Sequence, residues 1–482
     1  MNFRNLLVWL LTKSKTGCSD FAGKATIIKD FAKDGVSVQY FNNNVIWKKR
    51  NYYISLLKLL VDPSLRNMPQ WVNFQTTFAC NLRCPQCQTH GTPRLREIYN
   101  RKAMNMPAEL LEKAAKETLP WVNTYSLSLN GEPLLTPNAD DIISRFYSLF
   151  NAKLDLTTNG MLLTPAMLDR ILPFLDRVGF SVDGAKKDTF EKNRLGAKYE
   201  TFVTNVKITT RIFEIAAIKD IEVSLTYVVM GNNIRELPEV VKLADFLGVK
   251  IIYGYFLVVF SENNMAHEDV NLYKALYNVY LEKALELADQ CKIILSFPMP
   301  FKDVDRNAIE AEKRLIEEPM YVEKKIRQLV DMDQIEREAN IIASNITSRR
   351  SNIAEIHVDF TKACTWKTDY LGELLALYKD KLNSLTDNPN DHIKYCDFIH
   401  RRIYVGYNGD VSPCCVVGRP ILGNANDRTI ADIWNGEKYN DFRTKFRSSE
   451  PYECCSGCVF LQNLPIKDFL QQLSSLEKKQ IY

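Results

Sequence analysis

Trp71-Val72-Asn73-Phe74-Gln75-Thr76-Thr77-Phe78-Ala79-Cys80-Asn81-Leu82-Arg83-Cys84-Pro85-Gln86-Cys87 is the stretch around which the rest of the chain is organised. Its first seven residues are an apolar, alternating run and read as a strand. Three thiols follow at spacings of four and three, on the loop that leaves the strand's C-terminal end. A closed structural zinc site takes four protein ligands, whereas an iron–sulfur cube held by three thiolates keeps one iron open to a small molecule. The bland alternatives are a redox or zinc Cys-x2-Cys pair, or chance clustering in a chain with 12 cysteines.

Outward from this stretch, strand and helix signals alternate from about residue 69 to 298. Strands are expected at 71–77, 123–130, 153–157, 177–182, 221–229 and 250–260. Helices fit between them at Pro107 to Lys116, Asn138 to Phe150, Pro165 to Leu172, Tyr199 to Phe213 and Ile234 to Leu247. Thr164 is the expected N-cap of the third helix, with Pro165 at its first position. A helix with Leu272, Leu276 and Val279 at helical spacing follows the sixth strand. This alternation predicts an α/β fold with a parallel sheet, whose site lies at the C-terminal ends of the strands. Ile293-Ile294-Leu295-Ser296-Phe297 is a possible seventh strand, which leaves an eight-fold barrel open.

At 482 residues, 46% hydrophobic and 25% charged, the chain has the composition of an ordinary globular protein of two or three domains. A net charge of +4 gives no broad footprint for nucleic acid or a membrane surface. No apolar run reaches the roughly 20 residues of a spanning helix. Leu6-Leu7-Val8-Trp9-Leu10-Leu11 is too short for a signal-peptide core and reads as a docking helix, or more weakly as an interfacial hook. The clustered cysteines argue for metal ligation in a reducing cytoplasm rather than a disulfide scaffold.

Residues 1–68 form an N-terminal extension with a β-like piece at 36–41 and a basic helix candidate near Lys48 to Leu60. Residues 299–392 are charged and helix-favouring, a helical insertion or linker to which no chemistry is assigned. Residues 393–482 change character again: His400 to Val411 reads as a hairpin turning on Asn408-Gly409, followed by a helix from Thr429 to Phe446. A Cys-rich loop and a closing helix from about Pro465 complete the chain.

This last segment holds Cys396, Cys414, Cys415, Cys454, Cys455 and Cys458. Four thiols converging on a small loop-rich unit hold either a [4Fe–4S] cube or a zinc ion, and spacing alone does not separate the two. Cys18, Cys291 and Cys364 are isolated and read as core residues.

The Cys-x3-Cys-x2-Cys loop after a strand resembles that of the radical S-adenosylmethionine (radical SAM) superfamily. The resemblance implies a partial (β/α)6 TIM-like barrel with a small C-terminal Cys-rich auxiliary-cluster domain. In it Cys80, Cys84 and Cys87 hold a [4Fe–4S] cluster whose open iron binds SAM. It extends over residues 71 to 260. Asn130-Gly131-Glu132-Pro133 is similar to the family's Gly-Gly-Glu-Pro motif, so Gly131 and Glu132 are expected to receive the SAM ammonium. Thr157-Thr158-Asn159-Gly160 matches a strand end close to SAM, which assigns Asn159. Ser181, in Phe180-Ser181-Val182-Asp183-Gly184, and Arg194 correspond to positions that bind the SAM carboxylate or ribose. Val228, in Tyr227-Val228-Val229-Met230, falls where relatives contact adenine. Two positions depart from the pattern: Asn130 replaces a Gly, and Gln86 stands where an aromatic residue usually packs near adenine.

The C-terminal cysteines resemble the SPASM domain or its shortened twitch form, on Cys396, Gly409, Cys414, Leu422-Gly423-Asn424, Ile433-Trp434 with Arg443, and Cys455-x2-Cys458. No cysteine follows Cys458, so one auxiliary [4Fe–4S] cluster is expected on Cys396, Cys414, Cys455 and Cys458, with Cys415 or Cys454 as possible replacements for their neighbours. The resemblance implies an oxidoreductase-like enzyme that cleaves SAM reductively to a 5′-deoxyadenosyl radical and abstracts hydrogen from a substrate C–H, fed by an external electron donor such as flavodoxin or ferredoxin. Net oxidation of a small or carbohydrate-like substrate is the leading expectation. The alternatives are a maturase that cross-links or epimerises a peptide, and a zinc-stabilised binding protein without catalysis, for which His90 is the nearest fourth ligand.

Overall fold

Apolar side chains at every second residue set the central sheet. In Lys153–Thr158, Leu154 and Leu156 are fully buried while Asp155 is half-buried and Thr157 exposed, the period of a strand with one face on a helical layer. The computed structural model describes residues 55, 66–100, 104–127, 130–259, 262–315, 323–351, 392–415, 419–448, 450–455 and 458, and the strands 25–28, 353–356 and 462–465. The N-terminal apolar stretch, the 36–41 piece, the 48–60 helix candidate apart from Ser55, Cys18, Cys364 and the closing helix after Pro465 lie outside the described residues.

Seven parallel strands run in chain order: β1 (Trp71–Phe74), β2 (Thr124–Ser126), β3 (Lys153–Thr158), β4 (Leu175–Ser181), β5 (Glu222–Val229), β6 (Ile251–Phe256) and β7 (Ile294–Ser296). The helices between them are α1 (Pro93–Asn100) and α2 (Ala108–Thr118), α3 (Ala139–Phe150), α4 (Pro165–Ile171), α5 (Lys187–Asn193) and α6 (Tyr199–Ile215), α7 (Leu237–Leu247), and α8 (Lys274–Cys291). Each joins two neighbouring parallel strands, the βαβ connection. The result is an α/β, TIM-like partial barrel. Thr164 caps α4 as expected, its hydroxyl accepting from the Met167 N–H at 3.3 Å.

The structure corrects several details. The possible seventh strand is present, Ile294 pairing with Ile251, in addition to the six expected from the strand signals. Leu272 is exposed because it sits in a 3-10 turn ahead of α8, whereas Leu276 and Val279 are buried. α1 and α5 were not anticipated. Both are short and mostly polar, and α5 buries only Phe190 and Asn193.

The region after 300 begins with α9 (Arg306–Lys313), α10 (Glu323–Leu329) and α11 (Met332–Ser351). In α11, Ile335, Ala339, Ile342, Ala343 and Ile346 are buried, and the helix lies against α6 and α4. Arg211 of α6 forks onto Glu336 of α11 at 2.7 and 2.9 Å. This helix thus thickens the outer helical layer instead of capping the mouth, because its apolar stripe matches the backs of the crossover helices.

The C-terminal hairpin joins the same sheet. β8 (Arg402–Val405), preceded by the short α12 (Asp397–Arg401), pairs parallel with β1; β9 (Asp410–Ser412) and β10 (Gly423–Asn424) follow antiparallel. The expected two-residue turn at Asn408-Gly409 is a wider one. Gly409 N–H bonds to Gly406 O at 2.9 Å, Gly406 N–H to Asp410 O at 2.7 Å, and Gly409 alone has positive φ (+89°). That is a turn followed by a one-residue bulge. The single expected helix 429–446 is two, α13 (Ile430–Trp434) and α14 (Glu437–Arg447), because the chain is extended at Gly436. The buried Arg443 guanidinium lies against both the Trp434 and Tyr439 rings, 4.2 and 4.3 Å from their centroids, and donates to Trp434 O at 2.8 Å.

Candidate functional site at the mouth of the sheet

The loop after β1 is positioned by backbone bonds before any cofactor is considered. Gln75 N–H bonds to Val405 O of β8 at 2.9 Å, Thr76 Oγ1 donates to Leu127 O at 2.6 Å, and Glu132 N–H bonds to Ala79 O at 2.8 Å. Arg83 N–H bonds to Leu195 O at 2.8 Å, and Gly91 N–H to Cys87 O at 2.9 Å. Gly131 is required by space: a Cβ there would lie 2.5 Å from Thr77 O and 2.9 Å from Ala79 O. Asn130, which replaces a Gly of the expected motif, has its side chain hydrogen-bonded to Gln88 and its carbonyl to the Thr89 hydroxyl (3.1 Å).

Cys80, Cys84 and Cys87 are free thiols, each half-buried. Burial pushes Cys80 up to about 11 and Cys84 up to about 12, and the thiols' own charges raise one another, while Arg194 opposes the rise in both. Thiolates at Cys80 and Cys84 are therefore disfavoured in this pocket unless a positive charge such as a metal's lies beside them. Among the described residues no three His, Cys, Asp or Glu side chains converge as one metal ion requires; a cube takes its thiolates on separate irons. His90 is not a fourth ligand to that trio through Nε2, which lies 2.9 Å from the Phe78 carbonyl oxygen and so donates to it.

The expected SAM-contacting positions cluster around this loop. Glu132, 2% exposed, accepts from the Thr158 hydroxyl (2.6 Å) and from Asn159 N–H (2.9 Å). Burial pushes its carboxyl up, and these two bonds work against that rise. Both carboxylate oxygens thus hold the end of β3. Asn159 Nδ2 in turn donates to Asn81 Oδ1, inside the cysteine loop, at 2.8 Å. Ser181 ends β4 opposite Thr226. Val228 packs beside Met230, Leu257 and Met265.

Asp183 is the residue that reading the motifs passed over. Its fully buried carboxylate accepts from Val228 N–H (2.9 Å) and Gln86 Nε2 (2.8 Å), and pairs with Arg194 Nη2 (2.9 Å). Gln86, the departure from the aromatic position, thereby anchors the cysteine loop to the end of β4. An acid directly following an apolar strand end was the available signal.

The second cysteine set lies in the C-terminal unit. Cys396, Cys414 and Cys455 are buried; Cys458 N–H bonds to Cys455 O at 3.3 Å, and the Cys454 and Cys455 sulfurs are 4.0 Å apart. Burial pushes Cys396 up to about 11 and Cys455 up to about 12, and the nearby Cys458 adds to the rise in both. Cys414, past the end of β9, neighbours Tyr404 and Tyr439, while Cys415 lies beside Arg419, Arg402 and Tyr404. Cys291, at the end of α8, is half-buried against the core. Burial alone would raise the Asp397 carboxyl beside Cys396, but Arg402 (2.5 Å) and Arg401 (3.0 Å) hold it well below the usual carboxylate range.

Comparison with known proteins finds a family match over each cysteine set. Residues 74–244 match the radical SAM superfamily, and residues 396–459 match the iron–sulfur cluster-binding domain called SPASM. Pre-heme d1 synthase of Dinoroseobacter shibae is 30% identical over 200 residues, 40% of this chain and 45% of that protein. AdoMet-dependent heme synthase of Methanosarcina barkeri is 25% identical over 202 residues, 40% of this chain and 52% of the relative. Streptococcus suis SuiB bound to S-adenosylmethionine aligns with 78% of this chain and 68% of its own at 13% identity and a TM-score of 0.46. The chain spans about half the length of the two synthases. A radical SAM domain implies a [4Fe–4S] cluster and SAM, and a SPASM domain implies auxiliary iron–sulfur clusters. No described helix is long and apolar enough to cross a membrane. The chain carries a radical SAM domain in its partial barrel and a SPASM-type iron–sulfur domain after it.

Proposed function

We propose that the chain is an enzyme that uses SAM to abstract hydrogen from a C–H bond of a small, carbohydrate-like substrate, with net oxidation. Cys80, Cys84 and Cys87 hold the SAM-binding [4Fe–4S] cluster, and Cys396, Cys414, Cys455 and Cys458 hold one auxiliary cluster. When bound and reduced, the first cluster supplies the electron that splits SAM into methionine and the 5′-deoxyadenosyl radical. The observation that carries this reading is the single loop at the strand ends. Its three free thiols are tied through Asn81, Ala79 and Gln86 to Asn159, Glu132 and Asp183.

The protein's own residues do the positioning. Gly131 lets two backbones approach, Glu132 holds Thr158 and Asn159, and Val228 offers an apolar wall. Ser181 and Arg194 face the same strand ends as binding groups for the polar parts of SAM. A small-molecule substrate is supported by relatives named for heme and GTP chemistry, the latter a probable GTP 3′,8-cyclase of Methanococcus aeolicus, 29% identical over 40% of this chain and 61% of its own. An external low-potential donor such as flavodoxin or ferredoxin supplies the electron.

The test is anaerobic reconstitution. Two cubes give about eight irons per chain, and dithionite with SAM yields 5′-deoxyadenosine. A Cys84→Ala variant that still forms 5′-deoxyadenosine overturns the proposal. Deuterium carried from a substrate into 5′-deoxyadenosine identifies the substrate class, with a peptide donor counting against the small-molecule reading.

A further inference from the structure

The inner face of the sheet, turned away from the crossover helices, is unlike a packed barrel core. Such cores are filled by layers of bulky branched side chains. Here one layer is charged: Asp155 of β3, Arg177 of β4 and Glu222 of β5 stand side by side in register. Arg177 Nη1 bonds to Asp155 Oδ1 at 2.7 Å and to the Thr157 hydroxyl at 3.3 Å. Its Nε lies 3.3 Å from Glu222 Oε1, to which the Tyr253 hydroxyl also donates at 3.0 Å. The next layer toward the strands' C-terminal ends is small, Thr157 beside Gly179 beside Ser224, and the one above it pairs Ser181 with Thr226. Gly179 is what lets the Arg177 guanidinium fold upward, since a Cβ there would lie 2.6 Å from Nη2. Ser224 is fully buried, yet its hydroxyl has no hydrogen-bond partner among the described residues.

These layers lie beneath the positions expected to hold SAM. Arg177 is four residues before Ser181 on the same face of β4, roughly 13 Å of strand, and its raised guanidinium takes up about half of that. The remaining depth suits one ring-sized molecule. We propose that the Asp155–Arg177–Glu222 layer is the floor of the substrate site and selects an uncharged, hydroxyl-rich ring. This deepens the carbohydrate-like reading above and rests on it. The floor carries two carboxylates to one guanidinium. Asp176, at the register shift between β3 and β4 and bonded to the Thr124 hydroxyl at 3.0 Å, adds a third negative charge. The other cations on this face of β3 and β8 are already engaged, Lys153 by Asp220 at 3.6 Å and Arg402 by Asp397 at 2.5 Å. A phosphate or carboxylate entering here meets net negative charge from side chains only 20–22% exposed, where water screens weakly. An ammonium would have to displace Arg177 from carboxylates it already bridges. Neutral hydroxyls meet instead a donor beside an acceptor: Arg177 Nη2 over Gly179, and the Asp155 oxygen that Nη1 does not use. Neighbouring ring hydroxyls answer that pair, one accepting and one donating.

The test sorts substrates by charge. Small molecules extracted from the native host, grown on deuterated medium, are passed over anion- and cation-exchange resins. Each fraction is incubated anaerobically with the reconstituted full chain, SAM and dithionite, and deuterium in 5′-deoxyadenosine is read by mass spectrometry. Only the fraction retained by neither resin is expected to label it. Label from a fraction held on either resin overturns the inference, as does the absence of label from every fraction. Two variants tie the effect to the floor. Both are read as the deuterated share of the 5′-deoxyadenosine formed, so that a less stable or less loaded protein does not mimic a loss. Asp155→Asn removes the accepting charge, and Gly179→Ala displaces only the flexible end of Arg177. Each lowers the share about tenfold or more, the effect of losing one hydrogen bond to a charged group. A wild-type share in either variant overturns the inference. A wild-type chain labelled only by peptides of the same extract instead refutes the small-molecule reading, and one that forms no 5′-deoxyadenosine refutes the cluster assignment, so the failures are distinguishable.

Discussion

Replacing Gly131 with Ala tests the site without removing any group that touches a ligand. The added Cβ would lie 2.5 Å from Thr77 O and 2.9 Å from Ala79 O, and side-chain carbons essentially never approach closer than 3.0 Å. Both obstructing atoms are backbone, so no rotamer change relieves them. The segment at 130–132 and the loop at 77–79 must separate, and the Glu132 N–H to Ala79 O bond of 2.8 Å lengthens with them. Forced overpacking costs about 1–3 kcal/mol, and a weakened backbone bond adds about 1. The expected destabilisation is therefore about 2–4 kcal/mol, concentrated on the residue before Cys80. If about 1.4 kcal/mol of that strain is released by letting the loop drift, SAM binding weakens about tenfold.

The assay has two arms: thermal and urea unfolding of the protein as purified, and SAM affinity of the reconstituted protein with iron content measured on the same sample. A stability loss with weakened SAM binding and intact auxiliary iron is the expected outcome. Gly131→Ala protein that matches wild type in all three measurements refutes the reasoning, because the backbones would then not be in contact where the structure puts them.

Leu156→Ala empties a fully buried position on the helix-facing side of β3 and costs about 2–5 kcal/mol in urea unfolding, with SAM affinity per folded molecule unchanged. Asp397→Asn uncouples Arg401 and Arg402; because Asp397 keeps 28% side-chain exposure, the loss is about 1–3 kcal/mol rather than that of a fully buried pair. Its iron content falls toward about four per chain as the auxiliary site loosens, and full loading would count against the link between Asp397 and Cys396. Glu336→Gln removes a two-pronged ion pair whose side chains remain 30% and 41% exposed, and shifts stability by no more than about 1 kcal/mol.

The parallel sheet and the thiol loop were legible because each rests on a local pattern: period-two burial in β3 and β5, and three cysteines beside a strand. What escaped reading depends on distant partners. Nothing near Gln86 announces that it meets Asp183, 97 residues away, and nothing in residues 332–351 says which face of the barrel their apolar stripe will cover. Glu132 reads as a ligand contact from its motif; that its oxygens also accept from Thr158 and Asn159 is visible only once β2 and β3 are paired. The 429–446 break is a case of the opposite kind. Gly436 was in plain view, but a glycine within a helical pattern is ambiguous until the neighbouring Arg443 is seen stacked on the preceding helix.

The pairing of β8 with β1 has a mechanical consequence for the two cysteine sets. Four register pairs, Arg402 with Trp71 through Val405 with Phe74, fix the hairpin to the strand that launches the Cys80 loop. The contact continues past the strand ends, where Gln75 N–H bonds to Val405 O and the Tyr407 ring meets Phe78 edge-on at 5.2 Å. Arg402 adds a second tie, stacked on Trp71 at 4.7 Å while bonded to Asp397 beside Cys396. A hinge between a barrel and a separate cysteine-rich unit would need a linker with few crossing contacts. Here the unit begins as the next strand of the same sheet, so a rigid ladder holds its cysteines relative to the first three. The ladder thus ties the Cys396 end of the unit, through Asp397 and Arg402, to the strand that launches the Cys80 loop.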